Sequence, residues 1–136
     1  MTTLLIAEDV DDIAMILKRV FTRAGMRVLH APDGAAAFAL AVADHPDVLL
    51  TDLGMPRMDG WALIEAVRGH EELRDIPIAV ITGHLPPGDS RVPQAGACAL
   101  LLKPCPNEEL VATIRQLAAR GPHGHTFSPA GCADQA

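Results

Sequence analysis

The sequence predicts an α/β fold, a doubly wound parallel sheet of five strands with helices on both faces. Five short apolar runs alternate along the chain with segments in which apolar residues recur at helical spacing. Runs that are apolar on both faces are typical of central strands in a parallel sheet, which helices cover on each side. Because right-handed crossovers leave few topologies for this alternation, we expect the strand order 2-1-3-4-5.

Each predicted strand is an apolar run too short to form a buried helix of its own. The run that ends in Asp52 is the clearest case, because Gly54, Pro56 and the Asp59-Gly60 pair turn the chain directly after it. The strands are expected at residues 3–7, 26–31, 48–52, 78–82 and 99–102.

The predicted helices begin near residues that favour helix starts. We expect Asp11 or Asp12 to cap the first helix, Asp59 to cap the third and Asn107 to cap the last. The Asp33-Gly34 pair turns the chain into the second. Apolar side chains at helical spacing mark these helices over residues 13–24, 36–43, 61–68 and 110–118.

The segment between the fourth and fifth strands is a poor helix. Pro86, Pro87, Gly88 and Pro93 lie in it, and each interior proline costs a helix about 3 kcal/mol. We therefore expect an irregular or shortened fourth helix over residues 84–95, with low local stability.

Length and composition indicate one domain with an aliphatic core. The chain has 136 residues, of which 49% are hydrophobic and only 3% aromatic. We expect the domain over residues 1–120. Residues 121–136 are mostly small and polar, without apolar periodicity, and are predicted to form a disordered tail.

Net charge and the pattern of cysteines limit the kinds of partner and the cellular location that we expect. The net charge of −6 opposes nucleic-acid binding, and no apolar run has the length of a membrane span. The first residues lack the basic start of a signal peptide. The three cysteines have no paired spacing, which favours free thiols in a reducing cytoplasm, so we expect a cytoplasmic protein.

Polar residues at four predicted strand ends form the candidate site. Carboxyl ends of parallel strands meet at one edge of the sheet, where open α/β proteins bind ligands. Three carboxylates that converge there need a cation, and all-oxygen ligation suits Mg²⁺. A lysine and a hydroxyl beside them suit phosphoryl transfer onto a carboxylate. The residues concerned are Glu8, Asp9, Asp52, Thr82 and Lys103.

This constellation resembles the receiver domain of bacterial two-component response regulators, in its stand-alone, single-domain type with a flavodoxin-like fold. The resemblance extends from about Thr3 to Arg120. It is specific because several short motifs follow the predicted strands in the family's order. These motifs are Glu8-Asp9, the DLGMPRMDG run from Asp52, Thr82-Gly83, Gly96-Ala97 and Lys103-Pro104.

The resemblance implies a role for each site residue. Asp52 would be the phosphoacceptor, Lys103 would pair with the phosphoryl group, and Thr82 would move towards that group on activation. The family also implies a cis peptide bond between Lys103 and Pro104. The implied Mg²⁺ ligands are Glu8, Asp9, Asp52 and the backbone carbonyl of Gly54.

The resemblance also implies a signalling function. The protein would accept a phosphoryl group from a phosphohistidine on a sensor histidine kinase or histidine phosphotransfer protein, and would then bind an unknown downstream protein. We expect neither nucleic acid nor membrane as a partner. The protein would slowly hydrolyse its own phosphoryl group, but it would not be an enzyme that acts on an external substrate.

Several residues depart from the family pattern. Glu8 replaces the commoner Asp, while Gly54 and His84 occupy positions that tune the phosphoryl lifetime. Leu100 stands where the family usually has the aromatic residue that reports phosphorylation, and the chain contains no Tyr.

Other functions remain as alternatives. A receiver-like interaction module that works without phosphorylation is favoured by Leu100 and the poor fourth helix, and opposed by the intact acids, Thr82 and Lys103. A phosphatase or dehalogenase with an Asp nucleophile usually has a second Asp two residues later, where this chain has Gly54. A flavodoxin needs a phosphate-binding loop after the first strand, and the acids at residues 8–12 would repel a phosphate.

Overall fold

A computed structural model of the chain describes residues 1–55, 57–83, 91–103, 105–120, 127–128 and 131–132. The helices are α1 (Asp11–Arg23), α2 (Gly34–Asp44), α3 (Gly60–Gly69), α4 (Arg91–Gln94) and α5 (Asn107–Arg120). The strands are β1 (Thr3–Ala7), β2 (Arg27–Ala31), β3 (Val48–Thr51), β4 (Ile78–Thr82), β5 (Ala99–Leu102), β6 (Phe127–Ser128) and β7 (Gly131–Cys132). Among the described residues, no helix has the length and apolar character needed to cross a bilayer.

The sheet has the predicted order β2-β1-β3-β4-β5, and all of these strands are parallel. The predicted fold class is therefore confirmed. Two strands of two residues each extend the sheet, since β6 pairs with β5 and β7 pairs antiparallel with β6. Most of the segment 121–136 lies outside the described residues, so its disorder stays a prediction.

The core consists of two aliphatic clusters, one on each face of the sheet. Successive residues of a strand point to opposite faces, so Leu5 and Leu49 belong to one cluster while Leu4 and Leu50 belong to the other. Helices α2, α3 and α4 contribute side chains to the first cluster, and α1 and α5 contribute to the second. All four residues of β3 are buried, as expected for a central strand.

Aspartates cap two of the helices. Asp33 accepts a hydrogen bond from the Ala36 N–H at 2.8 Å, at the start of α2. The predicted cap of α3 is confirmed, because Asp59 accepts from the Ala62 N–H at 2.9 Å. Each carboxylate satisfies a backbone donor that has no partner within its helix.

The predicted caps of α1 and α5 are wrong by one position or more. Val10 occupies the cap position of α1 without a side-chain bond, and Asp11 and Asp12 lie in the first helical turn. There they still complement the positive end of the helix. At α5, the Leu110 N–H donates to the Pro106 carbonyl at 3.1 Å, which places the cap before Asn107.

The fourth helix is short, as predicted. Helix α4 contains four residues, Arg91–Gln94, and residues 84–90 lie outside the described part of the chain.

Arg68 ties the connection before β5 to the end of α3. Its Nε and Nη2 donate to the Gly96 carbonyl at 3.0 and 2.7 Å, and its Nη1 donates to the carbonyls of Arg74 and Ile76 at 2.7 and 2.6 Å. Gly96 has a φ of +103°, and a Cβ atom there would lie 3.0 Å from the Arg68 Cγ. The positive φ favours glycine at this position, and the Arg68 side chain would have to shift to admit a Cβ atom.

Candidate phosphoacceptor site

The carboxyl edge of the sheet brings the predicted acidic residues together. The β1–β3 register pairs Ala7 with Thr51, so the residues that follow these two strands are neighbours. Glu8, Asp9 and Asp52 each offer a carboxylate oxygen within 4.8 Å of the others. Glu8 and Asp52 are buried, whereas Asp9 is exposed.

Asp52 is held by hydrogen bonds on both carboxylate oxygens. Its Oδ1 accepts from the Leu53 N–H at 2.6 Å and, with a longer contact, from the Gly54 N–H at 3.4 Å. Its Oδ2 accepts from Lys103 Nζ at 2.8 Å. Only 8% of the residue is exposed, so protein groups rather than solvent hold the carboxylate.

Lys103 neutralises two carboxylates at once. Besides its bond to Asp52, Nζ lies 3.3 Å from Glu8 Oε1. Burial acts to lower the pKa of Lys103, but the hydrogen bond and charge of Asp52, together with those of Glu8, raise that pKa above its ordinary value. The lysine is therefore a fixed cation at neutral pH.

Glu8 is fully buried, which makes its negative charge costly. Burial and the charge of Asp52 raise the pKa of Glu8 above its ordinary value, although the Val10 N–H and Lys103 oppose this rise. The His30 Nε2 contacts the Glu8 backbone carbonyl at 2.9 Å and fixes this residue from β2. The sequence showed His30 only as a strand residue, so this contact was missed.

Thr82 is placed at the same edge of the sheet, between the strands that lead to Asp52 and Lys103. It is the last residue of β4 and is buried. Its carbonyl accepts the Lys103 N–H at 2.9 Å, which links the ends of β4 and β5. The expected cis bond before Pro104 and the expected role of His84 fall on positions outside the described residues.

The loop after β3 closes tightly behind Asp52. The Gly60 N–H donates to the Leu53 carbonyl at 2.9 Å, and a Cβ atom on Gly60 would come within 2.2 Å of the Asp52 carbonyl oxygen. Gly54 differs, because a Cβ atom there would meet nothing within 4 Å. The loop is thus closed at Gly60, whereas there is room for a side chain at Gly54.

An ion pair that the sequence analysis missed fastens this loop to α2. Arg57 Nε donates to Asp33 Oδ2 at 2.9 Å, and the Met58 carbonyl accepts the Gly34 N–H at 3.0 Å. Arg57 has a φ of +66°, which is unusual for a residue with a side chain. The Ala36 N–H, and then the Arg57 guanidinium, lower the pKa of Asp33.

The fold and this site define a receiver domain. The sequence model of the response regulator receiver domain family matches residues 4–115. This chain therefore belongs to the response regulator receiver domain family, as the resemblance predicted. Receiver domains receive phosphoryl groups from histidine kinases and bind Mg²⁺ in an acidic pocket, so membership implies phosphorylation-dependent signalling.

Known proteins similar to this chain have the same fold. The transcriptional regulatory protein PrrA of Mycobacterium bovis is 34% identical over 118 residues, which cover 85% of this chain and 49% of PrrA. The chain thus spans about half the length of this relative. The structure of the chemotaxis response regulator CheY4 of Vibrio cholerae has a TM-score of 0.81 and 30% identity, and the match covers 86% of this chain and 98% of CheY4.

A second similar structure was determined with a metal ion. The receiver domain of the sensor histidine kinase PA1611 from Pseudomonas aeruginosa has a TM-score of 0.80 and 27% identity to this chain. The match covers 87% of this chain and 98% of that domain. Its structure has a magnesium ion coordinated in the active site cleft.

Proposed function

We propose that this protein is a phosphorylation-dependent switch that accepts a phosphoryl group on Asp52 in a Mg²⁺-dependent reaction. The observation that carries the proposal is the position of Asp52 at the sheet edge. Its carboxylate lies 2.8 Å from Lys103 Nζ and beside the carboxylates of Glu8 and Asp9. This arrangement supplies a nucleophile, a fixed cation and hard oxygen ligands in one place.

Mg²⁺ fits the donor set at this edge. Three carboxylates lie within 4.8 Å of one another, and the cation beside them among the described ion pairs is Lys103. Burial also makes the negative charge of Glu8 costly. A divalent cation would relieve both effects. The proposed ligands are Glu8, Asp9, Asp52 and the Gly54 carbonyl, and the bound ion would neutralise charge on the phosphoryl oxygens. The magnesium ion in the PA1611 receiver domain supports this assignment.

The proposed transfer uses one oxygen of Asp52 as the nucleophile. It attacks the phosphorus of a phosphohistidine, the P–N bond breaks as the P–O bond forms, and the imidazole leaves with its electron pair and takes up a proton. Lys103 then shifts its hydrogen bond from the carboxylate to a phosphoryl oxygen, and the Thr82 hydroxyl donates to another. Attack by water on the phosphorus later breaks the P–O bond to Asp52, releases phosphate and regenerates the carboxylate.

The proposed partners are a sensor histidine kinase or histidine phosphotransfer protein, and a downstream protein whose identity is open. Val10, directly after Asp9, is 46% exposed and offers the donor an apolar contact beside the acids. We place the protein in the cytoplasm on the free thiols expected from the sequence, and Cys105 is a free thiol among the described residues.

Intact mass measurement tests the proposal directly. The protein is incubated with acetyl phosphate, with and without Mg²⁺, and compared with Asp52→Asn and with Asp75→Asn, a matched change at an exposed aspartate. We expect one added phosphoryl group in the wild type and in Asp75→Asn, only with Mg²⁺, and none in Asp52→Asn. Labelling of Asp52→Asn at the wild-type rate would show that another residue is the acceptor.

A module that works without phosphorylation is the second candidate. Leu100 is buried in β5 where the family usually has an aromatic residue, and α4 has only four residues. These features weaken the usual route by which a phosphoryl group changes the α4–β5 surface. If the wild type takes up no phosphoryl group from acetyl phosphate or a phosphohistidine donor, this candidate replaces the first.

A further inference from the structure

The ion pair between Asp33 and Arg57 is part of a larger contact between the start of α2 and the loop after β3. Arg57 Nε donates to Asp33 Oδ2 at 2.9 Å, and the Gly34 N–H donates to the Met58 carbonyl at 3.0 Å. A Cβ atom on Gly34 would clash with that carbonyl oxygen, so the two backbones are in close contact. We call Asp33, Gly34, Arg57 and Met58 the loop clasp.

Asp33 is the buried member of the loop clasp, with only 4% of the residue exposed. Its Oδ1 accepts from the Ala36 N–H at 2.8 Å, and Arg57 supplies the opposite charge at Oδ2. Because a buried carboxylate without a partner is costly, Asp33 holds Arg57 although 71% of the arginine side chain is exposed. The φ of +66° at Arg57 is kept only where the surroundings fix it, and the loop clasp provides them.

The loop clasp matters for the metal site because Gly54 does not fix the direction of its own carbonyl. Gly54 is exposed, a Cβ atom there would meet nothing within 4 Å, and its N–H lies 3.4 Å from Asp52 Oδ1. Glycine has more backbone freedom than any other residue, so its carbonyl direction depends on how the chain is held on either side. Before Gly54, the Leu53 N–H is bound to Asp52 at 2.6 Å. After it, Met55 is buried and the loop clasp supplies a polar anchor.

We propose that Arg57, through its pair with Asp33, is a positioning residue that holds the loop after β3 so that the Gly54 carbonyl can bind Mg²⁺. The inference rests on the Mg²⁺ site of the proposed function and adds two residues that do not touch the ion. Without the loop clasp, the carbonyl is in place in only a fraction of the molecules. The apparent dissociation constant for Mg²⁺ then rises by the inverse of that fraction.

Positioning and simple charge effects predict opposite results for Arg57→Gln. Arg57 is a cation in the same loop as a proposed ligand, so a charge effect alone would make its removal strengthen Mg²⁺ binding. Loss of positioning weakens binding instead. Asp33→Asn should weaken binding more than Arg57→Gln, because it releases the loop and also leaves the arginine charge without its partner. Asn keeps the cap of α2, since its side-chain oxygen still accepts a backbone N–H.

The test is a Mg²⁺ titration of the full, ¹⁵N-labelled chain that follows the amides of residues 8–9 and 52–54. Asp33→Asn should raise the dissociation constant on the order of tenfold, as loss of a group that orients a metal ligand does. Arg57→Gln should raise it less, and Arg57→Lys should restore most of the affinity. The double variant should bind no more weakly than Asp33→Asn, because the two residues act as one unit. The matched control, Asp59→Asn, makes the same charge change at the cap of α3 and should bind as the wild type does.

Urea unfolding of the same variants without Mg²⁺ separates positioning from stability. A purely structural role would lower the free energy of unfolding and leave the dissociation constant of the folded protein unchanged, which would overturn the inference. Tighter binding in Arg57→Gln, or an equal loss in Asp59→Asn, would assign the effect to charge alone and would also overturn it. If the wild type itself bound no Mg²⁺, the proposed Mg²⁺ site would fail together with this inference. Wild-type binding that neither Asp33→Asn nor Arg57→Gln alters would overturn this inference alone.

Discussion

Replacing Lys103 by Met should destabilise the fold, because the carboxylates of Asp52 and Glu8 then lose their shared cation. Lys103 Nζ lies 2.8 Å from Asp52 Oδ2 and 3.3 Å from Glu8 Oε1. At an effective dielectric constant of about 20, these pairs correspond to roughly 6 and 5 kcal/mol of gross attraction. Desolvation cancels most of this, and removing one partner of a buried pair costs about 3–5 kcal/mol. Since 27% of the lysine side chain is exposed, we expect a net loss of about 2–3 kcal/mol.

The loss should depend on pH in a defined direction. Because the pKa of Glu8 is raised in the folded protein, its contribution to stability is fully present below the ordinary value of 4.5 and is lost as pH rises through the raised value. Lys103 opposes the rise in the pKa of Glu8, so without it that fall should extend to higher pH and become larger. The variant should therefore approach the wild type in acid and differ most at neutral pH, and Mg²⁺ should recover part of the difference.

Urea unfolding of both proteins at pH 4 and pH 7, with and without Mg²⁺, measures these differences. Glu8→Gln is the companion variant, since removal of the buried charge should reduce the cost of Lys103→Met at pH 7. Equal stability of Lys103→Met and wild type at pH 7 would contradict the reasoning. An equal loss of unfolding free energy at both pH values would show that packing of the lysine side chain, and not its charge, causes the effect.

Three further predictions concern the metal, the loop after β3 and the segment before β5. Asp9→Ala should weaken Mg²⁺ binding in a titration that follows amide shifts, and binding equal to the wild type would exclude Asp9 as a ligand. Gly60→Ala should lower the free energy of unfolding by at least about 2 kcal/mol, because its Cβ would lie 2.2 Å from the Asp52 carbonyl oxygen. Gly54→Ala is the matched control and should stay within about 1 kcal/mol of the wild type, so equal losses in both would contradict the steric argument. Amide hydrogen exchange over residues 84–95 should be fast in the free protein and slower with beryllofluoride and Mg²⁺, and unchanged protection would favour the module that needs no phosphorylation.

The parallel sheet and its site could be predicted from sequence because both depend on local patterns. Runs such as 48–50 are apolar at every position, which in a chain of this length is satisfied by a central strand between two helical layers. Once the strands are parallel, their ends meet at one edge, so the acids after β1 and β3 and the lysine after β5 must converge. The aspartate cap at Asp59 is local as well, and it was predicted correctly.

Helix starts were less predictable where several polar residues stand in a row. Asp11, Asp12 and Asn107 are all good caps, but the cap position is set by the residue at which the chain stops being extended. Val10 is still extended, with φ of −88° and ψ of 111°, because its N–H is bound by the Glu8 carboxylate at 3.2 Å. That bond belongs to the site, so the position of the cap depends on the site's geometry.

The sequence by itself determined the fold class, the strand order and the residues at the acidic edge. Tertiary structure decided which distant residues pair to hold the loops around the sheet in place. Arg57 binds Asp33 across 24 positions, and Arg68 binds Gly96 across 28. No periodic pattern in the sequence links Arg57 to Asp33 or Arg68 to Gly96. Only the packing of α2, α3 and the loops shows that these residues pair.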